Sequence, residues 1–149
     1  MDIKDLHNKF LECKSIVDID SRSVRNGSMF FAIKGENYDG NQFAEEALSK
    51  GAKFAVVDSN SISNNSKILR VKDSLQTLQK LANFHRLKTK SVVIALTGSN
   101  GKTTTKELID CVLSSNFKTI STIGNFNNQI GVPLSLLQIK DDTEYSVIE

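Results

Sequence analysis

The chain has 149 residues, with 19 Lys+Arg against 17 Asp+Glu and a formal net charge of +2 at neutral pH. That length leaves room for about one domain, and the near-balance of charge excludes a strongly basic nucleic-acid module or an acidic tail. With 39% hydrophobic residues, a packed core is feasible and wholesale disorder is not expected. The longest apolar runs, residues 29–33 and 92–96, fall far short of the ~18 residues of a membrane span. The opening Met1-Asp2-Ile3-Lys4-Asp5 carries no apolar core of a secretory leader. No membrane span and a cytoplasmic location are therefore expected. Cys13 and Cys111, far apart and without a C-x-x-C pattern, read as two buried thiols in a reducing compartment.

Strands and helices alternate along the chain. Residues 28–33 form an apolar run after Asn26-Gly27, a strand opened by a turn. Residues 41–50 put Phe43, Ala44, Ala47 and Leu48 on one helical face, with Gly51 placed to cap the end. Phe54–Val57 is a second buried strand, so the succession predicts parallel pairing. The Ser/Asn-rich loop 59–66 carries no motif, and residues 68–71 form a brief strand. Asp73-Ser74 opens a helix with Leu75, Leu78, Leu81 and Ala82 at helical spacing, and residues 85–90 end it with positive charge favourable to its dipole. That basic end reads as a solvated helix terminus rather than a nucleic-acid patch, and a domain boundary is expected there, after residue 87.

Residues 92–96 then form a continuous apolar strand of the kind buried on both faces of a parallel sheet. A helix follows over 102–113, with Leu108, Ile109, Val112 and Leu113 inward. Residues 118–122 are a second strand, Pro133 sits in the first turn of a helix, and Tyr145–Ile148 is a third strand. The expected fold class is α/β, with a mostly parallel sheet in the second part.

The strongest motif lies between that strand and helix: Thr97-Gly98-Ser99-Asn100-Gly101-Lys102-Thr103-Thr104-Thr105. Glycines let successive N–H groups face one concavity, the helix N-terminus adds positive partial charge, and a lysine meets the β/γ-phosphates. Gly98, Ser99, Asn100, Gly101, Lys102, Thr103 and Thr104 are thus candidates for ATP-phosphate binding. Thr103 or Thr104 could supply a hydroxyl for Mg²⁺. The loop is shorter than the general G-x-x-x-x-G-K pattern, whose first Gly would fall at Leu96. A phosphate-loop fold also calls for an acid at the end of a neighbouring strand. Glu149 fits that place, although a final Glu is as readily a solvated surface residue.

The loop 97–105 resembles the ATP loop of the Mur ligases, which build the peptidoglycan stem peptide. Upstream, Asp20-Ser21-Arg22, Asn26-Gly27-Ser28-Met29-Phe30-Phe31-Ala32, Gly35, Asp39-Gly40, Phe43, Ala47 and Gly51-Ala52 are similar to their UDP-sugar-binding domain. Gly124-Asn125-Phe126-Asn127-Asn128-Gln129-Ile130-Gly131-Val132-Pro133-Leu134 resembles the members that add the terminal dipeptide. The resemblance implies a substrate domain over 1–87 and the start of an ATP-binding domain over 88–149. It implies ATP and Mg²⁺ as cofactors, with UDP-N-acetylmuramoyl-tripeptide and D-alanyl-D-alanine joined through an acyl phosphate. It makes Ser21, Arg22, Asn125, Asn127 and Asn128 candidates for the UDP-muramoyl substrate, Thr103, Thr104 and Glu149 for the metal, and Lys102 the catalytic cation.

Family members continue into a longer central domain and a third domain, so an N-terminal fragment without ligase turnover of its own is expected. The family implies a monomer at full length. Two other readings stay open: a non-catalytic module binding UDP-muramoyl peptide or nucleotide, and the related ligase that adds the third residue.

Overall fold

The computed structural model describes residues 1–60, 62 and 65–149. Of the loop expected over 59–66, Ser61, Ser63 and Asn64 lie outside the described residues. Two compact units are present, Met1–Leu81 and Ala82–Glu149.

The first unit opens with helix α1 (Ile3–Glu12), which the sequence reading did not anticipate. Asp2 caps it by accepting from the Ile3 N–H, and Leu6, Phe10 and Cys13 form its buried stripe. Lys14 and Ser15, both at positive φ, turn the chain out of the helix. Strand β1 (Val17–Asp18) follows, then a 3₁₀ turn over Ser21–Ser23 and β2 (Met29–Phe31). A small antiparallel hairpin, β3 (Lys34–Gly35) with β4 (Tyr38–Asp39), precedes a second 3₁₀ turn (Gly40–Phe43) and helix α2 (Ala44–Ser49). Strands β5 (Phe54–Val57) and β6 (Ile68–Arg70) complete a four-stranded sheet in the order β1-β2-β5-β6, every pair parallel.

The period of two along each strand decides which face is covered by α2. Phe30, Ala32, Ala55, Val57 and Ile68 cluster with Ala44 and Ala47, whose small side chains let helix and sheet approach closely. The helix expected over 41–50 opens as a 3₁₀ turn because Asn41 is tied down. Its amide donates to Asp39 (2.7 Å) and Asp58 (2.8 Å), and its oxygen accepts from the Asp58 N–H (3.0 Å). Gly51, at φ +110°, takes the post-helical position foreseen for it.

Gly40 is required by contact. A Cβ there would lie 2.7 Å from the Ile33 carbonyl oxygen and 2.8 Å from its nitrogen, both backbone atoms. Gly40→Ala should therefore lower unfolding stability by about 1–3 kcal/mol, the usual cost of overpacking, as read from urea denaturation.

Helix α3 (Ser74–Lys88) runs across the division between the units, with Leu78, Leu81 and Ala82 buried as its spacing predicts. Asp73 accepts from the Gln76 N–H (2.8 Å), an N-cap. The charged helix end is shorter than expected, since His85 is buried and its Nε2 lies 2.8 Å from the Ile139 carbonyl. A carbonyl oxygen only accepts, so that nitrogen carries the proton.

The second unit holds β7 (Val92–Ala95), α4 (Lys102–Ser114), β8 (Thr119–Ser121), α5 (Gly131–Leu136) and β9 (Tyr145–Ile148). Its sheet order is β7-β9-β8, all parallel, with β9 in the middle. Burial follows position: Ser146, Val147 and Ile148 are buried, whereas β7, at an edge, is exposed at Val92 and Ala95. The expectation that residues 92–96 are buried on both faces is thus corrected. So is the inward face of α4. Leu108 and Val112 are exposed and Lys106 is buried, because the face that carries Lys102, Lys106, Ile109 and Leu113 turns inward. Cys13 is buried but Cys111, on the same outer face as Leu108 and Val112, is exposed, so the pair are not two buried thiols. Burial pushes the Cys13 thiol up to about 11.

Candidate nucleotide and substrate sites

In parallel α/β sheets the ligand site lies beyond the carboxyl ends of the strands. Ala95 pairs with Ile148, and the Leu96 N–H donates to the Ile148 carbonyl at 2.8 Å. The glycine-rich loop 97–105 therefore leaves β7 directly beside Glu149. Gly98 (φ +143°) and Gly101 (φ +76°) adopt conformations costly to side chains, and space is open around a Cβ built on either. Gly101 caps α4 without a side chain, and its carbonyl accepts the first helical bond, from Thr105 at 2.9 Å. The N–H groups of Lys102, Thr103 and Thr104 precede that bond and remain available to an anion. Lys102 folds back over the loop, its Nζ donating to the Gly98 carbonyl at 2.6 Å. Ser99, Asn100 and Thr104 are exposed on the rim.

Three elements meet at the Glu149 carboxylate. The Thr103 hydroxyl donates to it, with its oxygens at 2.9 and 3.1 Å, and the Asn127 amide donates to Oε1 at 2.8 Å. Its own N–H donates to the Thr122 hydroxyl at 3.0 Å. The Asn127 bond, chiefly, holds this carboxyl below its ordinary range against the opposing pull of burial, with Thr103, Lys102 and Lys106 adding to the effect. Of the two threonines considered for a metal, Thr103 is the one hydrogen-bonded to Glu149.

Among the described residues no group of three or more His, Cys, Asp or Glu side chains could hold a metal alone. One carboxylate and one hydroxyl beside a phosphate loop nevertheless suit Mg²⁺, which takes few protein ligands and completes its shell with phosphate oxygens and water.

Asn125 and Asn127 are exposed in the loop after β8, as is Asn128. Asn128 is partly occupied by the fold: its Oδ1 accepts from the Ile130 (3.0 Å) and Gly131 (2.8 Å) N–H groups. Sequence reasoning missed Lys106 and Thr122 in this site, since a lysine inside an otherwise mixed helix carries no spacing signal.

The other sequence-derived residues lie within the first unit. Ser21 and Arg22 line a cleft of about 540 Å³ with Ile19, Asp20, Tyr38 and Phe43. Tyr38 and Phe43 stack, with ring centroids 5.3 Å apart and planes 10° from parallel. Tyr38, in the unforeseen hairpin, was not anticipated. Arg22 is held by Asp20 through Nε–Oδ1 (2.9 Å) and Nη2–Oδ2 (2.6 Å). These bonds lower the Asp20 carboxyl to about 2.

Because the folded value is depressed, the pair's contribution is complete above the ordinary value of 3.8 and is lost as pH falls through about 2. Arg22→Ala should return the Asp20 titration, followed by NMR, toward 3.8.

These features define an α/β protein with a glycine-rich strand-to-helix loop and an acid at the end of the adjacent strand. The Mur ligase family catalytic-domain model matches residues 15–86 and the Mur ligase middle-domain model residues 96–149. The chain belongs to the Mur ligase family.

It is 40% identical over 136 residues to the UDP-N-acetylmuramoyl-tripeptide–D-alanyl-D-alanine ligase of Bacillus subtilis, covering 89% of this chain and 30% of that protein. A crystal structure of MurF from Acinetobacter baumannii superposes with a TM-score of 0.82 at 38% identity, over 89% of this chain and 29% of that one. The MurF ligase of Thermotoga maritima, solved in complex with ADP, gives 0.80 at 36% identity, over 90% and 31%. The chain thus spans about 30% of the length of the curated relatives it matches. Among the described residues no helix is long and apolar enough to cross a membrane.

Proposed function

We propose that this chain provides the UDP-substrate and ATP-phosphate sites of a cytoplasmic ligase that joins D-alanyl-D-alanine to UDP-N-acetylmuramoyl-tripeptide. Residues 1–87 take the substrate role and residues 88–149 the nucleotide role. The observation that carries the reading is the meeting of Thr103, from the phosphate-loop helix, and Asn127, from the Asn-rich loop, on one carboxylate, Glu149. Likeness to dipeptide-adding ligases supports the choice of acceptor.

The chemistry divides among these residues. Gly98, Ser99, Asn100, Gly101, Lys102, Thr103 and Thr104 surround the triphosphate, with N–H groups and the Lys102 ammonium opposing its charge. Lys102 exchanges the Gly98 carbonyl for a phosphate oxygen as the nucleotide enters. Glu149 and the Thr103 hydroxyl would hold Mg²⁺, with Thr104 at the rim beside them; the ion supplies charge neutralisation on the phosphates. Asn127 holds the Glu149 carboxylate in place.

The terminal carboxylate of the tripeptide attacks the γ-phosphorus and ADP departs, leaving an acyl phosphate. The dipeptide amine then attacks the carbonyl carbon, loses a proton, and inorganic phosphate leaves as the amide forms. Positioning of the two substrates is the main contribution of the loops. In the first unit, Ser21 and Arg22 face the UDP-sugar, and the Tyr38–Phe43 stack offers an aromatic surface for the base.

A full-length protein carrying these 149 residues should ligate D-alanyl-D-alanine and refuse a single diamino acid as acceptor. Preference for the diamino acid would assign it to the third-residue ligases instead.

A further inference from the structure

Lys106 is 1% exposed, on the helix that begins at the glycine-rich loop. Taking an ammonium out of water is costly, and a methionine of similar length would fill the same slot without that cost. What an ammonium adds is several strong donors on one atom. Its Nζ donates to the carbonyls of Thr122 (2.6 Å) and Gly124 (3.2 Å), and it pairs with Glu107 at 2.7 Å on its outer side. Two carbonyls separated by one residue converge on that nitrogen, so the chain curls between them, and Gly124 sits at φ +55° to allow it.

We propose that Lys106 is a positioning residue that holds the Asn-rich loop against the phosphate-loop helix. One turn before it on α4 are Lys102, on the Gly98 carbonyl, and Thr103, on Glu149. Three residues after Gly124 is Asn127, on the same carboxylate. Thr122 is shared as well: its carbonyl accepts from Lys106 and its hydroxyl from the Glu149 N–H. The ammonium therefore fixes where the loop leaves β8, and through that the reach of Asn127 to Glu149 and the presentation of Asn125 and Asn128. The ligand roles in this proposal rest on the reading given under Proposed function; the anchoring of the loop does not.

The test compares the 149-residue chain with Lys106→Met by hydrogen exchange and by calorimetry. Amides of residues 123–131 should exchange about ten- to a hundredfold faster in the variant, the effect of losing charge-assisted bonds, while β9 and the first unit stay within about twofold. Affinity for ADP without metal should stay within about twofold, and the gain in ADP affinity that Mg²⁺ brings should fall about tenfold, because Asn127 no longer holds Glu149 in place. Unchanged loop exchange, uniform acceleration throughout the second unit, or equal losses of ADP affinity with and without Mg²⁺ would overturn the proposal. Wild-type chain that is folded yet binds no ADP would sink the functional reading and leave the exchange result to judge Lys106. Should Lys106→Met not fold, the wild type decides. A Lys106 ammonium NMR signal protected from solvent at neutral pH supports the anchor, and one averaged with water like a surface lysine overturns it.

Discussion

Lys102→Ala is expected to weaken ATP binding by about ten- to a hundredfold, the loss that follows removal of a charged donor from a phosphate site. Binding of UDP-N-acetylmuramoyl-tripeptide should change by less than about twofold on this chain. The separation follows from position. Lys102 lies at the start of α4, with its Nζ over the loop at the Gly98 carbonyl, whereas Ser21, Arg22, Tyr38 and Phe43 line a cleft within the first unit. The variant should also fold normally, since a single hydrogen bond to an exposed loop is lost. Calorimetry with each ligand reads both effects. Equal loss of both affinities would mean that the two sites are not divided as described.

Gly131→Ala should be the most damaging small substitution in the second unit. A Cβ at this position would collide with the Phe126 carbonyl oxygen and stand 2.6 Å from its carbon, both backbone atoms that cannot swing aside. Gly131 is also buried at the first residue of α5, where its N–H donates to Asn128. Relief requires moving either the helix start or the loop that carries Asn125, Asn127 and Asn128. The expected cost is about 3 kcal/mol, the upper part of the overpacking range, read from the urea midpoint of the second unit. The Asn127–Glu149 bond should break with it, so the Glu149 titration should move up toward its ordinary range. Unaltered stability would mean that the loop can be reshaped without strain.

Strands with strong local signals were legible from sequence. Phe54–Val57 and Tyr145–Ile148 stand where their apolar runs predicted, and the parallel pairing followed from the intervening helices. What escaped were elements too short to carry a period. Two-residue strands at Val17–Asp18, Lys34–Gly35 and Tyr38–Asp39 owe their existence to neighbours in the sheet or hairpin, which no local pattern announces. With the hairpin went Tyr38 and its stack on Phe43.

The inward face of α4 misled for a different reason. Leu108 and Val112 look like core residues, yet the buried position is Lys106, because the polar carbonyls of Thr122 and Gly124 lie opposite it. Apolar periodicity cannot report a face that is lined with hydrogen-bond acceptors. The turn from β7 into α4 was readable because its glycines serve a backbone geometry local to nine residues. The convergence on Glu149 was half readable: its strand-end position marks it, but the hold of Asn127, 22 residues away, is tertiary.

We propose that residues 97–105 with Glu149 form a nucleotide-phosphate and metal site. Its most direct measurement is ³¹P NMR of ATP titrated with the folded 149-residue chain, with Mg²⁺ and then with excess chelator. Saturable shifts of the β- and γ-phosphorus resonances are expected, strengthened by Mg²⁺ and lost in both Lys102→Ala and Glu149→Gln when the metal is present. Phosphorus signals that ignore the folded chain, or that respond alike in wild type and both variants, would contradict it.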